Sequence, residues 1–306
     1  MGSVGVSSPL ASAARIARFT AVMYKPHYLL YGVLWVLALE GTASLVTQPD
    51  SAWRPTGATL VRIVVVAFVL LYLRMVDEQK DLEYDRVHNP DRPLVTGAVS
   101  AVELRVAMGL IALGAVAGSL TLSVGSAVMI AVAMAYGLAL WGLEYLFATV
   151  RTDIMVNLFV TYPVQLLVTD YVVVSAIDTG EVRAAWQAAA VAGVFAGAFL
   201  QFEFARKTSR ERRPGELLYS NALGAKGSTA ASLLCAVAAV LCDIALVRPW
   251  DHSSLLAWLP VALLLISAFG ALRFLRGDRA DYPALPAVVF ILALYLTLIA
   301  QALALP

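Results

Sequence analysis

Apolar runs of roughly twenty residues recur nine times along the chain, near 27–47, 58–76, 102–122, 126–147, 152–176, 184–203, 227–247, 254–273 and 284–304. A helix rises about 1.5 Å per residue, so each run can cross a hydrocarbon layer about 30 Å thick. Polar separators carry turn-forming residues: Gln48-Pro49-Asp50, Asn89-Pro90-Asp91, Asp178-Thr179-Gly180, Arg213-Pro214-Gly215 and Arg276-Gly277-Asp278. The pattern predicts an all-α, polytopic membrane protein with nine transmembrane helices in a single domain over 27–306. The two longest polar segments, 77–101 and 203–226, follow the second and sixth runs, four helices apart. This layout suggests two four-helix halves plus a ninth helix. Residues 1–26 read as a cytoplasmic lead, and its first twenty residues as disordered, because they are mostly small and contain no apolar signal-peptide core.

Composition agrees with the pattern. Hydrophobic residues make up 60% and charged residues 14%, against nearer 25% charged in soluble domains. The net charge of +1 is uninformative and implies no nucleic-acid partner, but the distribution of charge is not even. Of 22 Lys and Arg residues, 18 fall on one set of alternate loops and 4 (Arg54, Arg62, Arg183 and Arg248) on the other. The positive-inside rule then places the N-terminus in the cytoplasm and the C-terminus outside, in a bacterial-type inner membrane surrounded by membrane lipid. Cys235 and Cys242 lie seven apart in one run, two helical turns, too far for a disulfide.

Candidate chemistry concentrates where the second run ends. Asp77, Asp81 and Asp85 recur every fourth residue, roughly along one helix face at about 6 Å spacing. Such repulsion is relieved by a cation, and hard carboxylate oxygens, with Glu78 beside them, suit Mg2+. The plainer reading is a solvated helix end whose acids pair with Lys80 and Arg86. Behind the acids, Pro90-Asp91-Arg92-Pro93-Leu94-Val95-Thr96-Gly97 forms a stiff, turning path able to fold Arg92 back.

Together these residues resemble the UbiA-type superfamily of intramembrane prenyltransferases. Its first signature, Asn-Asp-x-x-Asp-x-x-x-Asp with a trailing Pro-x-Arg-Pro-x-x-x-Gly, stands here as Asp77-Glu78-x-x-Asp81-x-x-x-Asp85 and Pro90 to Gly97. Asp77 and Glu78 depart from the usual Asn and Asp but keep oxygen ligands. The second signature, normally a second aspartate cluster after helix 6, departs further: Glu203 holds the first acidic position, while Arg206 and Lys207 occupy the neighbourhood of the next. The resemblance implies nine helices around a central cavity, a prenyl diphosphate donor, and Mg2+ held by Asp77, Glu78, Asp81, Asp85 and Glu203. It also implies diphosphate clamps at Lys80, Arg86, Arg92, Arg151, Arg206 and Lys207. Asn157, Tyr145 and Tyr219 are expected beside the site or along its cavity.

Polar residues within the runs, Glu40, Asn157, Gln165, Asp170 and Asp243, are functional suspects because a bilayer tolerates them poorly. Tyr72, Tyr136, Trp141, Tyr162 and Phe202 could line a tail cavity or simply pack. The expected chemistry is ionisation of an allylic diphosphate and transfer of the prenyl group to a lipophilic or aromatic acceptor. The alternative in the same superfamily is a terpene cyclase, in which the substrate's own double bond captures the cation. A cation-coupled transporter is the alternative from another class, though transporters place polar sites near the bilayer midplane, away from these helix ends.

Overall fold

In a computed structural model, residues 8–305 are described. Among them nine spans are long and apolar enough to cross a membrane, and no β-sheet forms. In chain order the helices are α1 (Pro9–Met23), α2 (Pro26–Thr47), α3 (Gly57–Lys80), α4 (Leu82–His88), α5 (Ala101–Leu120), α6 (Val124–Leu146) and α7 (Ala148–Thr152). They continue with α8 (Ile154–Thr161), α9 (Pro163–Asp178), α10 (Trp186–Ala190), α11 (Ala192–Arg206), α12 (Tyr219–Val247), α13 (Leu259–Arg276) and α14 (Ala284–Ala304). Helices α8 and α9 together make the fifth span, and α10 and α11 the sixth.

Local chemistry sets the helix ends. Thr56 and Thr59 form a capping box at α3, and Ser100 and Glu103 form another at α5; each ties down N–H groups that have no partner within the helix. Pro26 and Pro163 stand at the first helical position, where a missing N–H costs nothing. Pro163 also breaks the fifth span, and the Tyr136 hydroxyl donates to the nearby Val160 carbonyl at 2.8 Å. The ninth span packs against the first and against the sixth, which closes the bundle. Gly197 lets α11 and α12 approach so closely that a Cβ there would lie 2.7 Å from the Cys235 carbonyl oxygen.

The structure corrects the reading of the lead. Residues 1–7 lie outside the described residues, but 9–23 form helix α1 rather than a disordered segment. Its Arg15 donates through Nε to Glu103 of α5 at 2.9 Å, and Phe19 is buried against the bundle.

The end of the bundle opposite the motif loops holds a polar network within the spans. Arg62 is fully buried and pairs with Glu40 at 2.7 Å and Glu181 at 3.0 Å; it also donates to the Ser175 hydroxyl at 2.9 Å. Trp53 and Thr59 donate to Glu40 at 3.0 and 2.7 Å. Arg62, expected on a loop, is thus an internal residue that joins α2, α3 and the segment after α9.

Candidate active site

Helix α3 runs out through Asp77 to Lys80, and the backbone breaks at Asp81 (φ −91°, ψ 8°) before α4 begins. Seven residues make nearly two full turns, whereas eight overshoot by about 80°. Consequently Glu78 and Asp85 share a face, and Asp85 does not join Asp77 and Asp81 as the four-residue spacing suggested. The acids divide into two groups.

The first group surrounds Lys80. Its ammonium lies 2.9 Å from Glu144, 3.3 Å from Asp81 and 3.9 Å from Asp77. Asn157, on α8, donates to Glu144 at 3.3 Å and to the Val150 carbonyl at 3.1 Å. Asp77 and Asp81 keep 51% and 40% of their side-chain surface exposed, so both still offer oxygens to a ligand. Glu144 was the missed member; its signal was an acid near the end of an apolar run, on the motif side.

The second group is internal. Arg92 folds back, as the two prolines suggested, and pairs with Glu78 at 3.0 Å and with Asp85. Arg74 grips the same Glu78 at 2.5 Å, and Asn89 donates to Asp85 at 2.9 Å. Glu78 and Asp85 are 1% and 2% exposed, so this group fastens the loop to α3 rather than facing a ligand. Gly97 ends the path at φ +74°, a backbone conformation that strains other residues.

In the second motif, both oxygens of Glu203 are occupied. Arg206 reaches one at 2.6 Å and Lys207 the other at 2.7 Å. The Lys207 ammonium also lies 5.6 Å from the centre of the buried Tyr219 ring. Arg206 remains half exposed, so this corner presents cations rather than carboxylates. Tyr84 of α4 stacks on His88, with ring centres 4.0 Å apart. Its phenol is pushed up by partial burial and by the carboxylates of Glu216, Asp85 and Asp81.

Other expected residues lie apart. Arg86 pairs with the exposed Glu83 at 2.7 Å, and Tyr145 is 82% exposed. Arg151 is exposed at the end of α7. Among the described residues, none of the Arg86, Tyr145 and Arg151 side chains forms an ion pair with the acids of the two groups above. Arg210 donates to the Gly277 carbonyl at 2.7 Å and to the Phe274 carbonyl, capping the C-terminus of α13.

Among the described residues no three His, Cys, Asp or Glu side chains form a ready metal cage. The reason is visible: Lys80 stands between Asp77, Asp81 and Glu144, and Arg or Lys side chains occupy the other acids. Mg2+ seldom needs such a cage. It is commonly held by one or two carboxylates plus substrate phosphates, a requirement that Asp77 and Asp81 meet.

No family model matches the chain, and no curated protein sequence does either. Solved structures do. A digeranylgeranylglyceryl phosphate synthase aligns over 95% of this chain and 100% of its own, with a TM-score of 0.62 and 13% identity. The apo structure of a UbiA homolog from Aeropyrum pernix K1 aligns over 88% of this chain and 96% of its own, with a TM-score of 0.62 and 18% identity. A UbiA homolog from Archaeoglobus fulgidus bound to DMAPP and Mg2+ aligns over 91% and 97%, with a TM-score of 0.55 and 14% identity. The protein is therefore an integral membrane protein of the all-helical polytopic class. Within that class it has the UbiA fold.

Proposed function

We propose that the protein is a Mg2+-dependent enzyme of the UbiA superfamily that ionises an allylic prenyl diphosphate and transfers the prenyl group to a lipophilic acceptor. The carrying observation is the pair Asp77 and Asp81, half exposed at a helix end and facing the same side of the membrane as the cationic corner of Arg206 and Lys207. The charge distribution of the loops supports a cytoplasmic placement of that side. The DMAPP and Mg2+ bound to the Archaeoglobus fulgidus homolog support the same reading.

In the reaction, the bond between the allylic carbon and the diphosphate oxygen breaks, and its electron pair leaves with the diphosphate. The acceptor's nucleophilic atom supplies the pair for the new bond and sheds a proton to the released diphosphate. Negative charge grows on the leaving oxygens, so cations already in place lower the barrier. Mg2+ on Asp77 and Asp81 would supply part of that charge. Lys80 keeps the two carboxylates in position, and Glu144, itself held by Asn157, fixes Lys80 in turn. Arg206 and Lys207, anchored by Glu203, aim further N–H donors at the diphosphate. Glu203 itself has no free oxygen for a second metal.

Purified protein in lipid nanodiscs, given allylic diphosphates of several lengths with Mg2+, tests the reading. Diphosphate release that requires a membrane extract as acceptor source supports transfer. Release without acceptor, yielding a cyclic terpene, replaces transfer by cyclisation. Absence of release at every chain length, with and without extract, overturns both.

A further inference from the structure

Helices α13 and α14, the eighth and ninth spans, meet at Gly270, where an added Cβ would lie 2.8 Å from Pro286. Pro286 also lines a groove of about 400 Å³ between the two helices. Ile266, Phe269 and Arg273 recur at helical spacing along one stripe of α13, and Leu285 and Val289 along one of α14. Phe269 and Leu285 are 58% and 71% exposed, so in an integral membrane protein the groove opens sideways toward lipid. From Arg273 back to Ile266 is two turns, about 10 Å along an apolar floor.

Two cations stand at one end. Arg273 lies in the last turn of α13 and Arg279 in the loop before α14; both line the groove and both are exposed. Among the described residues no acid lines the groove, and neither guanidinium has an ion pair or a side-chain hydrogen bond. Asp278 is exposed outside the groove, and Asp281 is held by Arg213 at 2.8 Å. This is the end of the bundle that carries the second motif loop, since the Arg210 N–H donates to the Ala280 carbonyl at 2.8 Å. An interfacial arginine ordinarily snorkels to water; these two share one apolar groove. An apolar floor with two uncompensated positive charges at its mouth fits an amphiphile whose head is net negative. Guanidinium groups bond phosphate oxygens in pairs, and basic pockets between spans on the cytoplasmic side take anionic lipid heads. A free phosphate ion would leave the floor bare, and a zwitterionic lipid would bring its own cation to the mouth.

We propose that this groove holds an anionic phospholipid, with its phosphate on Arg273 and Arg279 and an acyl chain along Ile266, Phe269, Leu285 and Val289. None of these residues belongs to the groups assigned to the diphosphate, so the site stands apart from the prenyl-transfer reading.

Native mass spectrometry of the full chain in detergent tests it. The protein is titrated with equal amounts of phosphatidylglycerol and phosphatidylcholine carrying the same acyl chains, and bound lipids of each kind are counted. Wild type should retain phosphatidylglycerol with a preference of roughly tenfold. Arg273→Gln and Arg279→Gln should each lower that preference roughly fivefold, the scale for one cation beside an anionic lipid head. Arg276→Gln removes the same charge from the end of α13 but lies outside the groove, so its preference should stay near that of wild type. Val289→Trp fills the groove without altering charge and should also reduce phosphatidylglycerol retention. If Val289→Trp does not fold, the three arginine variants, all at exposed positions, decide the matter. Equal retention of the two lipids by wild type overturns the site. Equal losses in all three arginine variants would do so too, by reducing Arg273 and Arg279 to members of a diffuse basic band. Displacement of phosphatidylglycerol by millimolar glycerol phosphate would assign the cations to a soluble anion and overturn the lipid.

Discussion

Arg62 and Glu40 form an ion pair at 2.7 Å with neither side chain exposed to any degree. Removing one member of such a pair strands a buried charge, typically at a cost of about 3–5 kcal/mol. Arg62→Met should therefore lower thermal stability sharply in detergent. Arg62→Met combined with Glu40→Gln should recover much of the loss, since no uncompensated Glu40 charge remains. A double-mutant cycle read by thermal aggregation checks this; additive losses would show that the two side chains do not couple.

The same network gives a pH dependence. Burial opposes ionisation of Glu181, but hydrogen bonds from Thr179 and Thr56 and the charge of Arg62 outweigh it and hold the carboxyl below the ordinary glutamate range. A depressed carboxyl stabilises the fold above its unfolded value, near 4.3, and that contribution fades as pH falls through the lower folded value. Melting temperature should thus show a Glu181-dependent fall only below about pH 4.3. Glu181→Gln should remove that acid-dependent component, visible when the two melting profiles are overlaid.

The division of the acids predicts different outcomes for neighbouring aspartates. Asp77→Asn and Asp81→Asn should each cut diphosphate release on the order of 100-fold or more, with melting behaviour near that of wild type. Asp85→Asn should instead destabilise the protein by about 1–3 kcal/mol, because Arg92 loses a buried charged partner. Near-normal turnover in Asp81→Asn would end the metal-site reading.

Lys207 offers a test of the altered second motif. Lys207→Ala should weaken inhibition by pyrophosphate by a factor on the order of 10–100, the loss of one charged hydrogen bond of about 1.5–3 kcal/mol. It also frees an oxygen of Glu203, so raising Mg2+ should recover part of the affinity in the variant and not in wild type. Equal pyrophosphate affinity in both proteins at every Mg2+ level would reduce Lys207 to a partner of Glu203.

Gly197→Ala tests packing alone. The added methyl would meet the α12 backbone at 2.7–2.8 Å, and overpacking of this kind costs about 1–3 kcal/mol. A lower melting temperature with unchanged diphosphate affinity is the expected pair of results.

The spans were legible because hydrophobic length is nearly sufficient to define a membrane helix. Even the breaks had signals, in Pro163 and in Gly224, whose φ of +71° interrupts α12. The motif loops were legible as segments but not as geometry. Spacing by fours grouped Asp85 with Asp77 and Asp81, whereas helical rotation and the prolines around Arg92 grouped it with Glu78. Glu144 escaped because its partner Lys80 lies 64 residues away in the chain, and sequence spacing carries no information about which helices meet. Arg62 was misplaced for a similar reason: a cation near the end of an apolar run is usually read as interfacial, and only the folded neighbours Glu40 and Glu181 reveal it as internal.

The loop that follows Arg206 and Lys207 does not hold its shape alone. Arg210 donates to carbonyls at the end of α13, and Ser209 pairs with Asp281 just before α14. The geometry of the second motif is thus inherited from chain that follows it by some seventy residues. A chain severed after the seventh span would retain every residue assigned to the diphosphate site and still lack the support that positions Lys207. Exchanging the last two helices with those of a relative should accordingly alter diphosphate binding without touching either motif.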